Sequence, residues 1–228
     1  MKLLDAYCGE GGAARGYADA GFDIHGIDTN PHALRRYPYD CDQADAIDYI
    51  LTHGADYDLI HASPPCTGYS VGTAAIDRSR YPRLIAATRA ALKTTGTPYI
   101  IENVVGARRE LFQAILLCGR MFALGTHDGD GTFLVLDRHR LFETPLPITP
   151  PPHPAHHRGT IPVGGAYTGA QNHPRRAKKI RGGGYTPHPN VQRRLLDVPW
   201  MSATGVRQAI PPAYTHYLGR HAQRLLAA

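Results

Sequence analysis

A glycine-rich loop near the start of the chain constrains the fold more than any other feature. Residues 2–7 have the length and apolar pattern of a buried strand, and glycines within residues 9–12 follow directly, before a helical stretch over residues 13–20. Glycines in such a loop let the backbone approach a ligand closely, and the helix N-terminus offers free N–H groups. The pattern predicts the opening of a nucleotide-binding βαβ unit.

Two acidic residues follow in the next part of the chain. Asp28 ends a predicted strand 19 residues after Gly9, where a carboxylate can accept hydrogen bonds from both hydroxyls of an adenosine ribose. A structural turn in which Asp28 caps the next helix is the alternative. Asp45 ends a third predicted strand within residues 40–45, where it either binds the amino group of an adenine or caps the following helix. The two roles of Asp45 are compatible.

A cysteine follows two prolines at the end of another predicted strand. The apolar stretch over residues 57–62 stops at Pro64 and Pro65, which cannot continue a sheet ladder. Cys66 comes next and precedes a polar, turn-prone segment, an arrangement that presents a nucleophile to a cleft. A proline turn that holds a simply buried cysteine is the alternative.

A carboxylate ends a fifth predicted strand, over residues 97–101, which follows a helix predicted over residues 82–94. If this strand lies beside the strand of Cys66 in a parallel sheet, Glu102 and Cys66 meet at its carboxyl edge, where ligands bind. The repeated alternation of strands and helices predicts a doubly wound α/β sheet.

Two arginines follow a strand predicted over residues 132–136. Arg138 and Arg140 occupy alternate positions of an extended segment, so their side chains are expected on one side, with two guanidinium groups in one cleft. An exposed edge strand that carries arginines is the alternative.

The composition changes sharply after residue 144. Prolines, histidines and glycines dominate up to about residue 195, which predicts an irregular lobe with function on its loops. Within it, residues 173–181, here called the basic cluster, hold five arginines and lysines in a chain of net charge +6. This asymmetry favours a polyanionic partner, with a solvated basic loop as the alternative. A final helix is predicted over residues 214–226.

The cysteines and the N-terminus indicate the compartment. The four cysteines (Cys8, Cys41, Cys66 and Cys118) have neither metal-ligand nor redox-motif spacing, so we expect reduced thiols, and no metal site. The first residues become polar too early for a signal peptide, and no apolar run approaches the ~20 residues of a membrane span. We expect a soluble, cytoplasmic protein without contact to a membrane.

In chain order, these motifs resemble those of the DNA (cytosine-5) methyltransferases. The resemblance covers residues 1–144 and about 200–228. The matching segments are residues 5–12 for the opening cofactor motif, 63–66 for the catalytic Pro-Cys motif, 102–104 for the Glu-Asn-Val motif, 138–140 for the arginine motif and 208–211 for the closing motif. The resemblance implies an α/β fold, with a Rossmann-like S-adenosylmethionine-dependent methyltransferase sheet, helices on both faces and a small irregular recognition lobe.

The resemblance also implies a division of the chain. Residues 1–144 would form the catalytic, cofactor-binding domain, and residues 145–205 a small target-recognition lobe or insertion. Residues 206–228 would form a C-terminal helix that returns to the catalytic domain.

The implied reaction is methyl transfer from S-adenosylmethionine to C5 of cytosine in double-stranded DNA, on a base flipped out of the duplex. Cys66 would form a covalent bond to C6, Glu102 would donate to N3, and Arg140, assisted by Arg138, would bind O2. Pro65 and Asn103 complete the implied catalytic set. The implied cofactor-binding residues are Asp5, Tyr7, Gly9, Gly11, Gly12, Asp28, Asp45, Pro64 and Gln208. The implied nucleic-acid contacts are Thr67, Ser70, Arg175, Arg176, Lys178, Lys179 and Arg181.

Two departures from the family bear on the substrate. Thr67 stands where the family usually has a glutamine. This change affects how the space that the flipped base leaves in the duplex is filled. The segment over residues 145–205 is much shorter than a typical target-recognition domain. A short lobe implies short or relaxed sequence specificity, dependence on a protein partner, or another cytosine substrate: single-stranded DNA, RNA or a free nucleotide.

Two alternatives lie outside this chemistry. A nicotinamide-dependent oxidoreductase is one, since Gly9, Gly11 and Asp28 also fit the dinucleotide-binding fingerprint. That alternative leaves Cys66 and Glu102 without a role. The other is a non-catalytic DNA-binding or regulatory protein that retains the methyltransferase fold.

Overall fold

The computed structural model describes residues 1–70, 77, 80–156 and 187–227. The strands in this part of the chain are β1 (Lys2–Ala6), β2 (Asp23–Asp28), β3 (Asp40–Gln43), β4 (Leu59–Ala62), β5 (Tyr99–Asn103), β6 (Ile115–Leu117), β7 (Gly125–His127), β8 (Phe133–Val135) and β9 (Arg140–Glu143). The α-helices are α1 (Gly12–Asp19), α2 (Pro31–Leu34), α3 (Ala46–His53), α4 (Ile85–Thr95), α5 (Pro189–Leu196), α6 (Ala203–Gln208) and α7 (Pro212–Leu226).

Seven strands form one mixed sheet in the order β3-β2-β1-β4-β5-β9-β6. β1 is parallel to β2 and to β4, β2 is parallel to β3, and β4 is parallel to β5. β9 runs antiparallel between β5 and β6. The chain moves from β1 outwards to β3 and then returns to the other side of β1 at β4. β1 and β4 therefore flank the switch point of the sheet, where α/β proteins bind ligands beyond the carboxyl ends of the strands.

Helices cover both faces of the sheet. Successive side chains of a strand point to opposite faces, and both Leu3 and Leu4 of β1 are fully buried. Leu3 packs in a core that includes Tyr17 of α1 and Leu218 of α7. Leu4 packs in a second core that includes residues of α3 and α4, among them Leu92. β4 and β5 are buried on both sides along their whole length, which fits their largely apolar sequences, whereas β3 at the edge of the sheet is polar.

The C-terminal helix α7 packs closely against α1. A Cβ added to Gly16 would lie 2.0 Å from the backbone oxygen of Pro212, so only glycine permits this distance between the helices. The Thr215 hydroxyl donates to the backbone oxygen of Ala13 over 2.8 Å, which ties the two helices together at the same level. This contact fixes α7 beside the glycine loop from which α1 starts.

The predicted α/β fold is confirmed, and β2 ends at Asp28 as predicted. The strand predicted over residues 132–136 is present as β8, but it pairs with β7 in a separate two-stranded sheet. β6, β7, α5 and α6 were not anticipated from the sequence pattern, whereas β9 lies in the segment that was expected to be extended. The part of the chain that the structure describes contains no helix long and apolar enough to cross a membrane.

Candidate active site

A cavity of about 340 Å³ opens at the carboxyl edge of the sheet, where β1, β4 and β5 end. Its walls are the loop after β1, residues 63–67 after β4, Glu102 of β5, Arg140 of β9, and the segment from α6 to residue 210. This volume lies in the range of about 300–1,000 Å³ that is usual for small-molecule sites. The cavity is thus at the switch point of the sheet.

The glycine loop forms one wall of the cavity. Gly9 and Gly11 have φ values of 54° and 86°, a backbone conformation that L side chains rarely adopt. A Cβ on Gly12 would lie 2.8 Å from the backbone oxygen of Ile210, so glycine is needed where the later segment closes over the loop. Tyr7 also has a positive φ, 59°, and strained backbone of this kind clusters at functional sites.

Asp28 holds the glycine loop against the end of β2. Its carboxylate accepts hydrogen bonds from the backbone N–H groups of Gly9 and Asn30, at 2.9 and 2.8 Å, and it lines the cavity. Asn30, and not Asp28, caps the next helix, because the Asn30 side chain accepts from the backbone N–H of His32. Asp28 therefore combines a structural turn with a position facing the cavity.

Asp45 caps a helix. Its side chain accepts hydrogen bonds from the backbone N–H groups of Ile47 and Asp48 at the start of α3, at 2.8 and 3.2 Å. Asp45 does not line the cavity. Of the two roles considered for Asp45, the structure contains the capping role.

Asp5 is a buried acid in the wall of the cavity. It is 1% exposed, and the Tyr37 hydroxyl donates to its carboxylate over 3.2 Å. Burial raises the pKa of Asp5 to about 7, with Asp28 adding to the rise and the hydrogen bond from Tyr37 opposing it. Asp5 can thus change its charge near neutral pH.

The loop that carries Cys66 is held on both sides of the thiol. The side-chain amide of Asn103 donates to the backbone oxygen of Pro64 over 2.8 Å. The backbone oxygen of Cys66 accepts from the N–H groups of Tyr69 and Ser70 at 2.9 and 3.0 Å, and from the Ser70 hydroxyl at 3.1 Å. The half-buried Cys66 side chain lines the cavity at the tip of a rigid turn.

Glu102 lies on the strand next to that of Cys66, since β4 and β5 are parallel neighbours as predicted. Glu102 is 6% exposed, and its Oε1 lies 3.0 Å from Nε of Arg140. Oε1 makes no hydrogen bond within the described part of the chain. Burial raises the pKa of Glu102, while Arg140, Arg138 and a hydrogen bond from Ser63 oppose the rise. A buried carboxyl group with a raised pKa is suited to proton transfer.

The two arginines do not share one position. Arg140 lines the cavity, whereas Arg138 is buried, does not line it, and donates from Nη2 to the backbone oxygen of Arg207. Burial, together with the neighbouring charge of Arg140, lowers the pKa of Arg138 to about 9. The expected parallel orientation fails because β9 begins at Arg140, so Arg138 precedes the strand and the two-residue period does not apply.

Glu10 has a role that the sequence pattern did not indicate. Its carboxylate accepts hydrogen bonds from the N–H and hydroxyl groups of Ser202, at 2.6 and 2.5 Å. The indole N–H of Trp200 donates to the Glu10 backbone oxygen over 2.7 Å. Ser202 is also the N-cap residue of α6, so Glu10 holds α6, and with it Gln208, over the cavity. The indication of this role in the sequence was an acidic residue among the glycines of residues 9–12.

The structure brings most of the predicted site residues to one cavity. Those that line it are Asp5, Tyr7, Gly9, Gly12, Asp28, Pro64, Pro65, Cys66, Thr67, Glu102, Arg140 and Gln208. Those that do not line it are Gly11, Asp45, Ser70, Asn103 and Arg138. Arg175, Arg176, Lys178, Lys179 and Arg181 lie outside the described residues.

No protein-family model and no curated protein sequence matches this chain. In structure, it is similar to a prophage-encoded protein of E. coli described as a DNA modification methyltransferase, with a TM-score of 0.61 and 13% identity over 100% of both chains. It is also similar to the Dnmt2 methyltransferase of S. pombe, with a TM-score of 0.57 and 12% identity over 100% of this chain and 99% of the other. A third similar structure is the methyltransferase EhMeth of Entamoeba histolytica, with a TM-score of 0.58 and 11% identity over 99% of this chain and 98% of the other. At these identities the similarity shows the fold alone, which this chain shares with the three methyltransferase structures over nearly its whole length.

Proposed function

We propose that this protein transfers a methyl group from S-adenosylmethionine to C5 of cytosine in double-stranded DNA. The observation that carries the proposal is the cavity shared by Cys66, Glu102 and Arg140: a thiol, a buried carboxyl group and a guanidinium group. They lie at the end of the sheet where a fold of this class binds its ligands. The fold supports methyl transfer as the reaction class.

The chemistry of cytosine explains why these three groups are needed. C5 is a poor nucleophile, but addition of a thiolate to C6 converts the ring to an enamine that can take a methyl group at C5. Cys66 supplies the sulfur and forms a covalent bond to C6. Loss of the C5 proton to a base then lets the electron pair of that C–H bond expel the thiolate and restores the aromatic ring.

Glu102 and Arg140 act on the same ring. Burial raises the pKa of Glu102, so its carboxyl group can retain a proton and donate it to N3, which makes C6 more electrophilic. Arg140 offers a guanidinium group to O2, where negative charge develops during the attack. Protonation of Glu102 weakens its ion pair with Arg140, which frees the guanidinium for the substrate.

The residues around the glycine loop fit the cofactor. S-adenosylmethionine, when bound, supplies an electrophilic methyl group on a sulfonium centre. The cavity wall contains the carboxylates of Asp5 and Asp28, which favour a cationic ligand, and Asp28 can also accept hydrogen bonds from ribose hydroxyls. Gly9 and Gly12 permit a close approach to the backbone, and Gln208 lies on the opposite wall.

We further propose that residues 145–205 form the recognition lobe, in which the basic cluster contacts the phosphate backbone. Five cations in nine residues suit a polyanion better than a free nucleotide. Because a cytosine inside a duplex cannot reach Cys66, the substrate base must leave the stack, which costs a few kcal/mol. Because the lobe is small, the proposal includes a protein partner that takes part in target recognition.

The test is transfer of labelled methyl groups from S-adenosylmethionine to duplex DNA, single-stranded DNA, RNA and free cytosine nucleotides. We expect label in duplex DNA as 5-methylcytosine. The Cys66→Ala variant should lose transfer and retain cofactor binding, measured as a rise in melting temperature with S-adenosylmethionine. Cys41→Ser is the matched control, because Cys41 lies on β3 outside the cavity.

Three outcomes would contradict parts of the proposal. Normal turnover by Cys66→Ala would exclude the covalent mechanism. Label only in single-stranded DNA, RNA or nucleotides would retain the chemistry and overturn the substrate. A rise in melting temperature with NAD in place of S-adenosylmethionine would favour the oxidoreductase alternative.

A further inference from the structure

Four side chains that can bind a metal ion converge outside the proposed active site. They are Cys118, His139, His153 and His156, and their ligand atoms all lie within 4.8 Å of one another. Cys118 follows β6, His139 immediately precedes β9, and the other two histidines lie in the irregular segment after β9. None of the four lines the proposed active-site cavity.

Two distances within the cluster match the geometry of zinc. A tetrahedral Zn²⁺ with bonds of about 2.0–2.1 Å to nitrogen and 2.3 Å to sulfur separates its ligand atoms by about 3.3–3.6 Å. Nε2 of His139 lies 3.3 Å from Nε2 of His153, and Sγ of Cys118 lies 3.7 Å from Nε2 of His156. Small movements of the two exposed histidines would bring all four atoms to bonding distance.

The other ring nitrogens of the exposed histidines already have partners. Nδ1 of His153 lies 2.9 Å from the backbone oxygen of Pro154, so this nitrogen carries the proton and leaves Nε2 as the free donor atom toward His139. Nδ1 of His156 lies 3.7 Å from the carboxylate of Asp137, which Arg120 holds in place. Metal-binding histidines are usually oriented in this way by a backbone oxygen or a carboxylate.

The three imidazole rings form a compact group whose centroids are 5.0–5.5 Å apart. Cys118 is fully buried at the base of the group. Imidazole nitrogens and a cysteine sulfur are among the ligands by which proteins bind Zn²⁺.

We propose that Cys118, His139, His153 and His156 form a structural Zn²⁺ site. Four protein ligands fill a tetrahedral shell and leave no position for a substrate, so the site is structural and not catalytic. On binding, the Cys118 thiol loses its proton to solvent and its sulfur coordinates the metal as a thiolate. The proposal does not depend on methyl transfer.

The position of the site gives the metal a clear role. His139 lies between Arg138 and Arg140, so a bound metal fixes the short segment that carries both arginines. His153 and His156 lie in the irregular segment after β9, so the metal also ties that segment to the sheet. The spacing of the cysteines could not predict the site. One of its four ligands is a cysteine, and Cys118 and His156 lie 38 positions apart in the sequence.

The test uses the full chain without a histidine tag. We expect one zinc per chain by elemental analysis after purification, or after exposure to Zn²⁺ and gel filtration. Replacement of the zinc by Co²⁺ should give a thiolate-to-cobalt charge-transfer band and the visible bands of tetrahedral cobalt. Cys118→Ser should remove the charge-transfer band, whereas Cys41→Ser should retain it.

Replacement of the buried Cys118 can disturb folding, so two variants of exposed ligands provide an independent test. His153→Gln and His156→Gln alter exposed side chains, so both should retain the wild-type circular dichroism and lose more than about tenfold in zinc affinity. His53→Gln, an exposed histidine of α3, is the matched control and should bind zinc as the wild type does. The proposal is overturned if the wild type binds no zinc, or if the His153→Gln and His156→Gln variants bind zinc with unchanged affinity.

Discussion

Replacement of Asp5 by asparagine should stabilise the protein above neutral pH and have little effect in acid. Burial raises the pKa of Asp5 from its ordinary value of 3.8 to about 7. A raised pKa in an acid means that its contribution to stability is fully present below pH 3.8 and is lost as the pH rises through about 7. Asparagine stays neutral at every pH and keeps an oxygen that accepts the hydrogen bond from Tyr37.

The two pKa values set the size of the effect. Each pH unit between them costs the folded state about 1.4 kcal/mol, so ionisation of Asp5 costs about 4 kcal/mol once the pH exceeds its folded pKa. The stability gained by Asp5→Asn should therefore rise from near zero at about pH 4 to about 4 kcal/mol at about pH 8. The variant should also bind S-adenosylmethionine more weakly, because the cavity loses a carboxylate.

The assay is urea unfolding of both proteins over a series of pH values. The wild-type curve alone does not isolate Asp5, because burial lowers the pKa of His61 to about 3. The stability that depends on neutral His61 is present above its ordinary pKa of 6.5 and is lost as the pH falls toward about 3, opposite to the trend for Asp5. Both proteins contain His61, so the difference between them removes its contribution. A difference that does not change with pH would refute the reasoning.

Three further predictions concern packing and charge. In the wild type, the Glu143 carboxylate lies 2.6 Å from the buried Arg89 guanidinium. Glu143→Ala should therefore lower the free energy of unfolding, measured in urea, by about 3–5 kcal/mol, because it leaves a buried charge unpaired. The double variant with Arg89→Met should regain most of that loss. Gly16→Ala should lower the free energy of unfolding by about 3 kcal/mol, because α1 and α7 must separate, whereas Gly129→Ala, with no atom within 4 Å of the added Cβ, should have little effect. Replacement of the arginines and lysines of the basic cluster by alanine should weaken DNA binding and flatten its salt dependence by about 0.9 per lost phosphate contact; unchanged affinity at low salt would indicate a solvated loop.

The parallel half of the fold was predictable because its central strands β1, β4 and β5 have a strong local signal. Strands buried on both faces need continuous apolar runs, and the chemistry of this fold class lies where those runs end. Asp28, Cys66 and Glu102 each come directly after or at the end of such a run, so their convergence followed from the order of strands alone. The structure has β4 beside β5, as that argument requires.

The antiparallel end of the sheet was not predictable in the same way. β6 has three residues and β9 has four, too few to show a period, and β9 enters the sheet between β5 and β6. Arg138 illustrates the consequence. Its backbone oxygen accepts from the Tyr214 hydroxyl over 2.5 Å, and its guanidinium donates to the Arg207 backbone oxygen. Both partners are about 70 residues away in sequence, so tertiary contacts and not local pattern decide its orientation.

The segment of residues 138–140 contacts three different parts of the molecule. Arg138 donates to the backbone oxygen of Arg207 in α6. His139 belongs to the cluster with Cys118, and Arg140 reaches the cavity beside Glu102. This arrangement requires that Arg138 precede the strand, because a regular strand would point Arg138 and Arg140 to the same side. The sheet therefore positions Arg140, which is paired with Leu117, but not residues 138 and 139. The contact with α6 positions Arg138, and the cluster of Cys118, His153 and His156 positions His139.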